Sequence, residues 1–313
     1  MKINFLVIAF LVLNTVLAYS GGLSEKNLVN TQEIELGNIN DLNIVYTWEN
    51  VDLFENDTDK LIIKEYMTIN KSNYYARITS AGDKIRIEKG KRPFGLGTGI
   101  LFNSFSARVE VYLPASYTKN ISVKTASGNI KADGEFSCSE ISIESSSGNM
   151  SIKTLAADTL KLKASSGNIG GETLRGNSNI HTSSGSIIFD NINSNVSAKS
   201  SSGRIELKRV TGSVTAEASS GSIRCTVTES AGNISLTAKS GGVTLNLPRN
   251  LVFNFSSKTS SGSLSTPFPE RLFSPVSDRH TAQGIIGNEN ISGNNLDINI
   301  RTSSGSIKVN WVE

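Results

Sequence analysis

Val196-Ser197-Ala198-Lys199-Ser200-Ser201-Ser202-Gly203-Arg204-Ile205-Glu206-Leu207-Lys208-Arg209-Val210 is the stretch from which the fold can be read. Small or apolar residues take alternate positions up to Ser200, a serine run ending in Gly203 interrupts them, and alternation resumes at Ile205. Period-two alternation is the signature of a strand with one buried face. Two short strands therefore meet at a corner marked by Gly203. The same pattern recurs 18 residues earlier around Gly185 and 18 residues later around Gly221.

Followed outward, Ser-Gly pairs end at Gly128, Gly148, Gly167, Gly185, Gly203, Gly221, Gly241, Gly262 and Gly305, with spacings of 20, 19, 18, 18, 18, 20, 21 and 43. Helical repeats need more than about 30 residues and propeller blades about 40, so a period this short in strand-forming sequence means a solenoid. The predicted fold class is all-β: a single-stranded parallel β-solenoid of about 18–21 residues per coil, with irregular β cap regions.

Aligning on the glycine separates inward from outward columns. Seven and five residues before it stand apolar pairs such as Ile121/Val123, Ile141/Ile143 and Ile234/Leu236, and three before it a small residue such as Thr182, Ser200 or Ala218. Two and four after it come Ile187/Phe189, Ile205/Leu207 and Ile223/Cys225, and a further column at plus seven holds Leu155, Leu174, Ile192 and Val210. Two properties of glycine suit the corner: it tolerates positive φ, and it lets successive coils approach closely. The flanking serine is expected to bond the turn backbone or its equivalents in the coils above and below.

The ends differ from the middle. Met1-Lys2 is basic, Ile3 to Ala18 is almost unbroken apolar sequence, and Val16-Leu17-Ala18 resembles a cleavage site, so residues 1–20 read as a signal peptide. The run is shorter than the roughly 20 residues that cross a bilayer core, and no later segment approaches that length, so no membrane span is expected in the mature chain. Residues 21–115 lack the glycine register and read as an irregular β region and cap; 116–265 are the regular coils; 266–313 are a loop excursion and the final coil with its cap. Within these, Lys91 to Gly99 reads as a mobile loop. Pro267, Pro269 and Pro275 keep the excursion out of the ladder before the last coil, where Phe268 and Phe273 either fold over the C-terminal edge as a cap or form a binding loop. The Lys91 to Phe105 loop and the Thr266 to Asn295 excursion are the expected places for function rather than any coil face.

Composition narrows the function. The net charge is +3 with Lys and Arg interspersed among Asp and Glu, which is no electrostatic footprint for nucleic acid. Cys138 and Cys225 lie more than four coils apart; at about 4.8 Å per coil that approaches 20 Å, far beyond the roughly 7 Å limit for a disulfide. Cys225, four after its glycine, reads as a small buried hydrophobe.

A solenoid enzyme acting on polysaccharide needs two carboxylates in one site. Four before glycine the column reads Lys124, Glu144, Lys163, His181, Lys199, Glu217, Thr237, Lys258, Arg301, with acids and bases alternating. Three after glycine, Glu206 lies beside Arg224 and no acid lies beside an acid. These read as ion-pair ladders, each exposed pair contributing roughly 0–1 kcal/mol. His181 and His280 have no partners at metal-ligand spacing, and Asn56-Asp57-Thr58-Asp59 lacks the glycine and distal glutamate of a calcium loop, so it reads as a turn. Gly95 to Gly99 lacks the lysine of a phosphate loop. No catalytic, cofactor-binding or metal-binding residue is expected, and the chain reads as not an enzyme. The alternatives are a carbohydrate-active β-helix using Glu144, Glu206 or Glu217, and a purely structural envelope protein.

Val109-Glu110-Val111-Tyr112-Leu113-Pro114, followed by Ile121-Ser122-Val123-Lys124-Thr125-Ala126-Ser127-Gly128-Asn129-Ile130, resembles the bacterial DUF4097 family of adhesin-like proteins. Tyr74-Tyr75-Ala76, Gly90-Lys91-Arg92-Pro93 and the closing Thr302-Ser303-Ser304-Gly305-Ser306-Ile307 extend the resemblance over nearly the whole mature chain. It implies a β-solenoid in the bacterial envelope or at the cell surface, with relatives linked to envelope stress and no catalytic residues to carry over. The expected partner is a cell-surface polymer or an envelope protein.

Overall fold

The computed structural model describes residues 23–93, 105–228, 231–274, 278–287 and 296–312. The signal-peptide segment 1–20 and the Gly95 to Gly99 stretch lie outside the described residues. The chain divides into two compact units, Met1–Ser151 and Ile152–Glu313. Among the described residues both are built of β-strands with three short 3-10 turns, and the fold is the parallel β-solenoid expected from the repeat.

In the second unit, like residues stack on like. Val196–Ser200 pairs in parallel with Val214–Ala218, and that strand with Ile234–Ala238, so that Val196, Val214 and Ile234 share one inward column and Ala198, Ala216 and Leu236 the next. After the corner, Ile187, Ile205, Ile223 and Val243 form a third column and Phe189, Leu207, Cys225 and Leu245 a fourth. All of these side chains are buried. Cys225 is a free thiol inside its column, and burial pushes it up to about 12. A maleimide reagent is therefore expected to leave Cys225 unmodified in the folded protein and to label it only in denaturant; rapid native labelling would contradict the inward register.

The corner works for only one of the two reasons expected. A Cβ built on Gly203 would lie 1.8 Å from the carbonyl oxygen of Gly185, and one on Gly221 would lie 1.8 Å from that of Gly203. Among the described residues the glycines with positive φ are Gly37, Gly82, Gly176 and Gly287, and no corner glycine is among them. Close approach of coils requires the glycine, and left-handed backbone does not. The flanking serines do not supply the side-chain bonds to the turn backbone, although Ser263 Oγ donates to its equivalent Ser306 Oγ in the neighbouring coil at 3.0 Å. Ser200 Oγ donates to the Gly185 carbonyl at 3.0 Å and accepts the Gly203 N–H at 2.9 Å; Thr182 and Thr302 repeat this relay in their own coils. Ser201 and Ser202 face solvent and contribute their backbones, as in the 2.9 Å bond from Ser202 N–H to the Ser183 carbonyl. Asparagines beside the corners act similarly: Asn195 Oδ1 accepts the Ser213 N–H at 2.9 Å and Asn168 Oδ1 the Ser186 N–H at 2.8 Å.

Stacking order departs from chain order at the C-terminal end of this unit. Ile234–Ala238 pairs with Leu296–Thr302, which pairs on its other side with Phe253–Thr259. The coil around Gly305 thus lies between the coils of Gly241 and Gly262, and a Cβ on Gly262 would meet the Gly305 carbonyl oxygen at 2.0 Å. The last coil of the sequence is not the last of the stack. Thr281–Ile286 then runs antiparallel along Phe253–Thr259. Phe268 is buried with its ring centroid 5.1 Å from those of Phe255 and Trp311.

The first unit has the same kind of displacement. Asp41–Val45 pairs in parallel with both Lys84–Glu88 and Asn120–Thr125, and Asn50–Asn56 with both Ala107–Pro114 and the start of Ile130–Ser145. The earliest coil therefore lies between two later ones. Lys60–Met67 runs antiparallel to Ala107–Pro114, and Leu28–Glu35 antiparallel to Lys60–Met67.

A buried ionic cluster joins these pieces. Glu49 takes the corner place where other coils have glycine; its carboxylate accepts the N–H groups of Thr47 and Trp48 at 2.9 and 3.0 Å and pairs with Arg92 Nη1 at 2.9 Å. Arg92 Nη2 pairs with Glu65, and its Nε donates to the Tyr74 carbonyl at 2.7 Å. Glu65 also accepts from Asn30 Nδ2 and the Ala76 N–H, both at 2.8 Å. All three charged side chains are fully buried, and burial raises the Glu65 carboxyl above its ordinary value against the opposing pull of Arg92. The loop expected to be mobile from Lys91 onward is thus tied down at Arg92, and residues 94–104 lie outside the described residues.

Candidate functional site

Read in stacking order, the column four residues before the corner glycine in the second unit changes character along its length. Each step is a direct register pair: Lys199 with Glu217, Glu217 with Thr237, Thr237 with Arg301, Arg301 with Lys258, and Lys258 with Thr281. Lys199 and Glu217 form an ion pair at 3.0 Å. Thr237 carries no charge, and beyond it two cations stand directly opposite each other. Like charges at facing positions destabilise a sheet. The alternation of acids and bases expected for this column therefore holds at Lys199 and Glu217 and fails at Arg301 and Lys258.

Lys239, two residues beyond Thr237, adds a third cation on the same outward face. The four strands form a groove of about 460 Å³, whose lining includes Lys239, Lys258 and Arg301 with hydroxyls such as Ser256, Ser260 and Ser303. Among the described residues no Asp or Glu lines it. At about 4.8 Å per strand, Glu217 is about 10 Å from Arg301 along the column. Asp278, in the turn before Thr281, uses its carboxylate on the N–H groups of His280 and Thr281, each at 2.7 Å.

The residues singled out from sequence fall elsewhere. Glu144 pairs with Lys124 at 3.2 Å, and Glu206 lies 3.3 Å from Arg204 and 3.8 Å from Arg224. Each has a basic neighbour. His181 stands in register with Lys199, whereas His280 Nδ1 lies 2.9 Å from the Gly262 carbonyl oxygen and its Nε2 accepts from Arg279. Asn56 Oδ1 accepts the Thr58 N–H at 2.8 Å, which makes the Asn56–Asp59 segment an Asx turn. Among the described residues no group of three His, Cys, Asp or Glu could hold a metal ion, and no helix is long and apolar enough to cross a membrane.

The column read from sequence already sets Lys258 beside Arg301, but Thr281–Ile286, which completes the groove, lies outside the glycine register and gives no sign of its place beside them. The available signal was the absence of any acid in the last three members of the column, Thr237, Lys258 and Arg301.

Backbone ladders, a polar exterior and a groove of unneutralised cations define a class of protein: a repeat-built solenoid that presents surface. The chain belongs to the Toastrack DUF4097 family, whose model matches residues 39–310. The resemblance carried by Val109 to Pro114 and Ile121 to Ile130 therefore holds. Solved structures similar to this chain include a candidate adhesin from Bacteroides fragilis, at 12% identity and a TM-score of 0.41 over 90% of this chain and 96% of that one. A candidate adhesin from Parabacteroides merdae follows at 12% identity and 0.32, covering 91% and 96%, and a candidate cell adhesion protein from Clostridium sporogenes at 10% and 0.28, covering 90% and 98%. No curated protein matches the sequence significantly.

Proposed function

We propose that this is an exported envelope or cell-surface protein acting as a non-catalytic, adhesin-like interaction scaffold, whose partner is a surface polymer or an envelope protein. The observation that carries this reading is the contrast along one outward column: the Lys199–Glu217 pair is neutralised, whereas Arg301, Lys258 and Lys239 share a groove that no acid lines among the described residues. A protein that only stacked coils would gain by alternating charge to the end. Membership of the Toastrack family and the signal-like start of the sequence support the location.

The purified mature chain should be retained by intact bacterial cells or by isolated envelope polymer; failure to bind either, with the protein folded, would remove the basis of the proposal. The reading also separates this chain from a carbohydrate-active enzyme. A variant carrying Glu144→Gln, Glu206→Gln and Glu217→Gln together should match the parent in a polysaccharide-degradation screen, with no turnover by either. Turnover lost on substitution would favour the enzyme.

A further inference from the structure

We infer that the groove around Arg301 and Lys258 binds successive carboxylate groups of an acidic polysaccharide; this rests on the scaffold reading above and names its ligand class. The first argument is the unfavourable placement itself. Arg301 and Lys258 face each other in register with no acid in the lining among the described residues, and an anion laid across them turns this repulsion into attraction.

The second argument is spacing. Arg301 and Lys258 stand on neighbouring strands, about 5 Å apart at the backbone, whereas Lys239 is one strand over and two residues along, about 8 Å from Arg301. One carboxylate cannot reach all three, but a chain carrying an acid on successive units can. The planar guanidinium of Arg301 takes a carboxylate through two parallel N–H bonds, and the lysines act as point charges.

The rest of the lining selects among polyanions. Ser256, Ser260 and Ser303 offer hydroxyl groups suited to sugar hydroxyls, which a bare phosphate chain does not present. Among the described residues no aromatic side chain lines the groove, so it lacks the stacking platform on which single-stranded nucleic acid depends. The wider field agrees, because residues 152–313 carry 16 Lys and Arg against 11 Asp and Glu, whereas residues 1–151 carry 15 against 17.

The test uses the full mature chain, its Arg301→Gln/Lys258→Gln double variant, and Lys199→Gln as a control that removes a cation outside the groove. Binding to polygalacturonate, to methyl-esterified polygalacturonate and to polyphosphate is measured by calorimetry at two salt concentrations. The parent and the control should bind polygalacturonate alike, more weakly at high salt, whereas esterification or the double substitution should each weaken binding at least about tenfold. Both changes in the double variant are at exposed positions, and a thermal melt no lower than the parent's shows that the variant is folded. Equal binding by the double variant, or equal binding of the esterified polymer, would overturn the inference. Tighter binding of polyphosphate than of polygalacturonate would overturn the carboxylate assignment. If the double variant still adhered to cells as the parent does, the scaffold reading would stand and this groove would be excluded as its site.

Discussion

Gly203→Ala is expected to leave little folded protein, with a loss of more than about 3 kcal/mol, beyond the usual cost of an extra methyl group in a packed core. The added Cβ would lie 1.8 Å from the Gly185 carbonyl oxygen and 2.3 Å from its carbon. Both are backbone atoms of a paired coil, so no side chain can rotate aside. The oxygen of Gly203 is itself the atom against which Gly221 packs, so a shift in one coil moves the next. Gly82→Ala is the matched control, because φ there is +62 and nothing lies within 4 Å of the new Cβ. Only left-handed backbone strain of about 1–2 kcal/mol is expected at that site. Urea unfolding followed by circular dichroism ranks the two, and a Gly203→Ala loss no larger than that of Gly82→Ala would refute the close-stacking explanation of the repeat.

The second large effect is expected at Arg92. Replacing it with Met removes the cation between Glu49 and Glu65, leaving two buried carboxylates without their shared partner, at a cost of about 3–5 kcal/mol at neutral pH. The pH dependence has a definite sign. Burial raises the folded-state value of Glu65, so the folded protein binds that proton more readily than the unfolded chain. Stability from such a group is fully present below the unfolded carboxylate value and is lost as pH rises through the folded value. Arg92 opposes that rise, so its removal should lift the folded value further and make the variant recover stability on acidification toward about pH 5. Urea melts near about pH 5 and about pH 7.5 measure this. A deficit that is the same at both would mean that Arg92 acts through packing alone.

Much of this fold could be read from local pattern. Period-two alternation around Gly203 specified two strands and a corner, and the burial of Val196, Ile205, Leu207 and Val210 follows from it. Other features depend on neighbours that spacing along the chain does not specify. The interval between Gly241 and Gly262 is an ordinary coil length, yet Gly305 lies between them in the stack. The reason for glycine could be narrowed to close approach only when the carbonyl below it was located. Arg92 meets Glu49 and Glu65 from a segment without repeat, where no register predicts contact across 43 and 27 residues. The groove is half legible: its two facing cations are consecutive in the column, but the antiparallel Thr281–Ile286 that completes its lining has no register in the repeat.

Cell fractionation combined with protease treatment of intact cells tests most directly whether this solenoid works as an exported scaffold. The expected result is a chain lacking residues 1–20 in the envelope or secreted fraction, its envelope-bound portion degraded by protease added outside. A full-length chain retained in the cytoplasm and protected from that protease would contradict it.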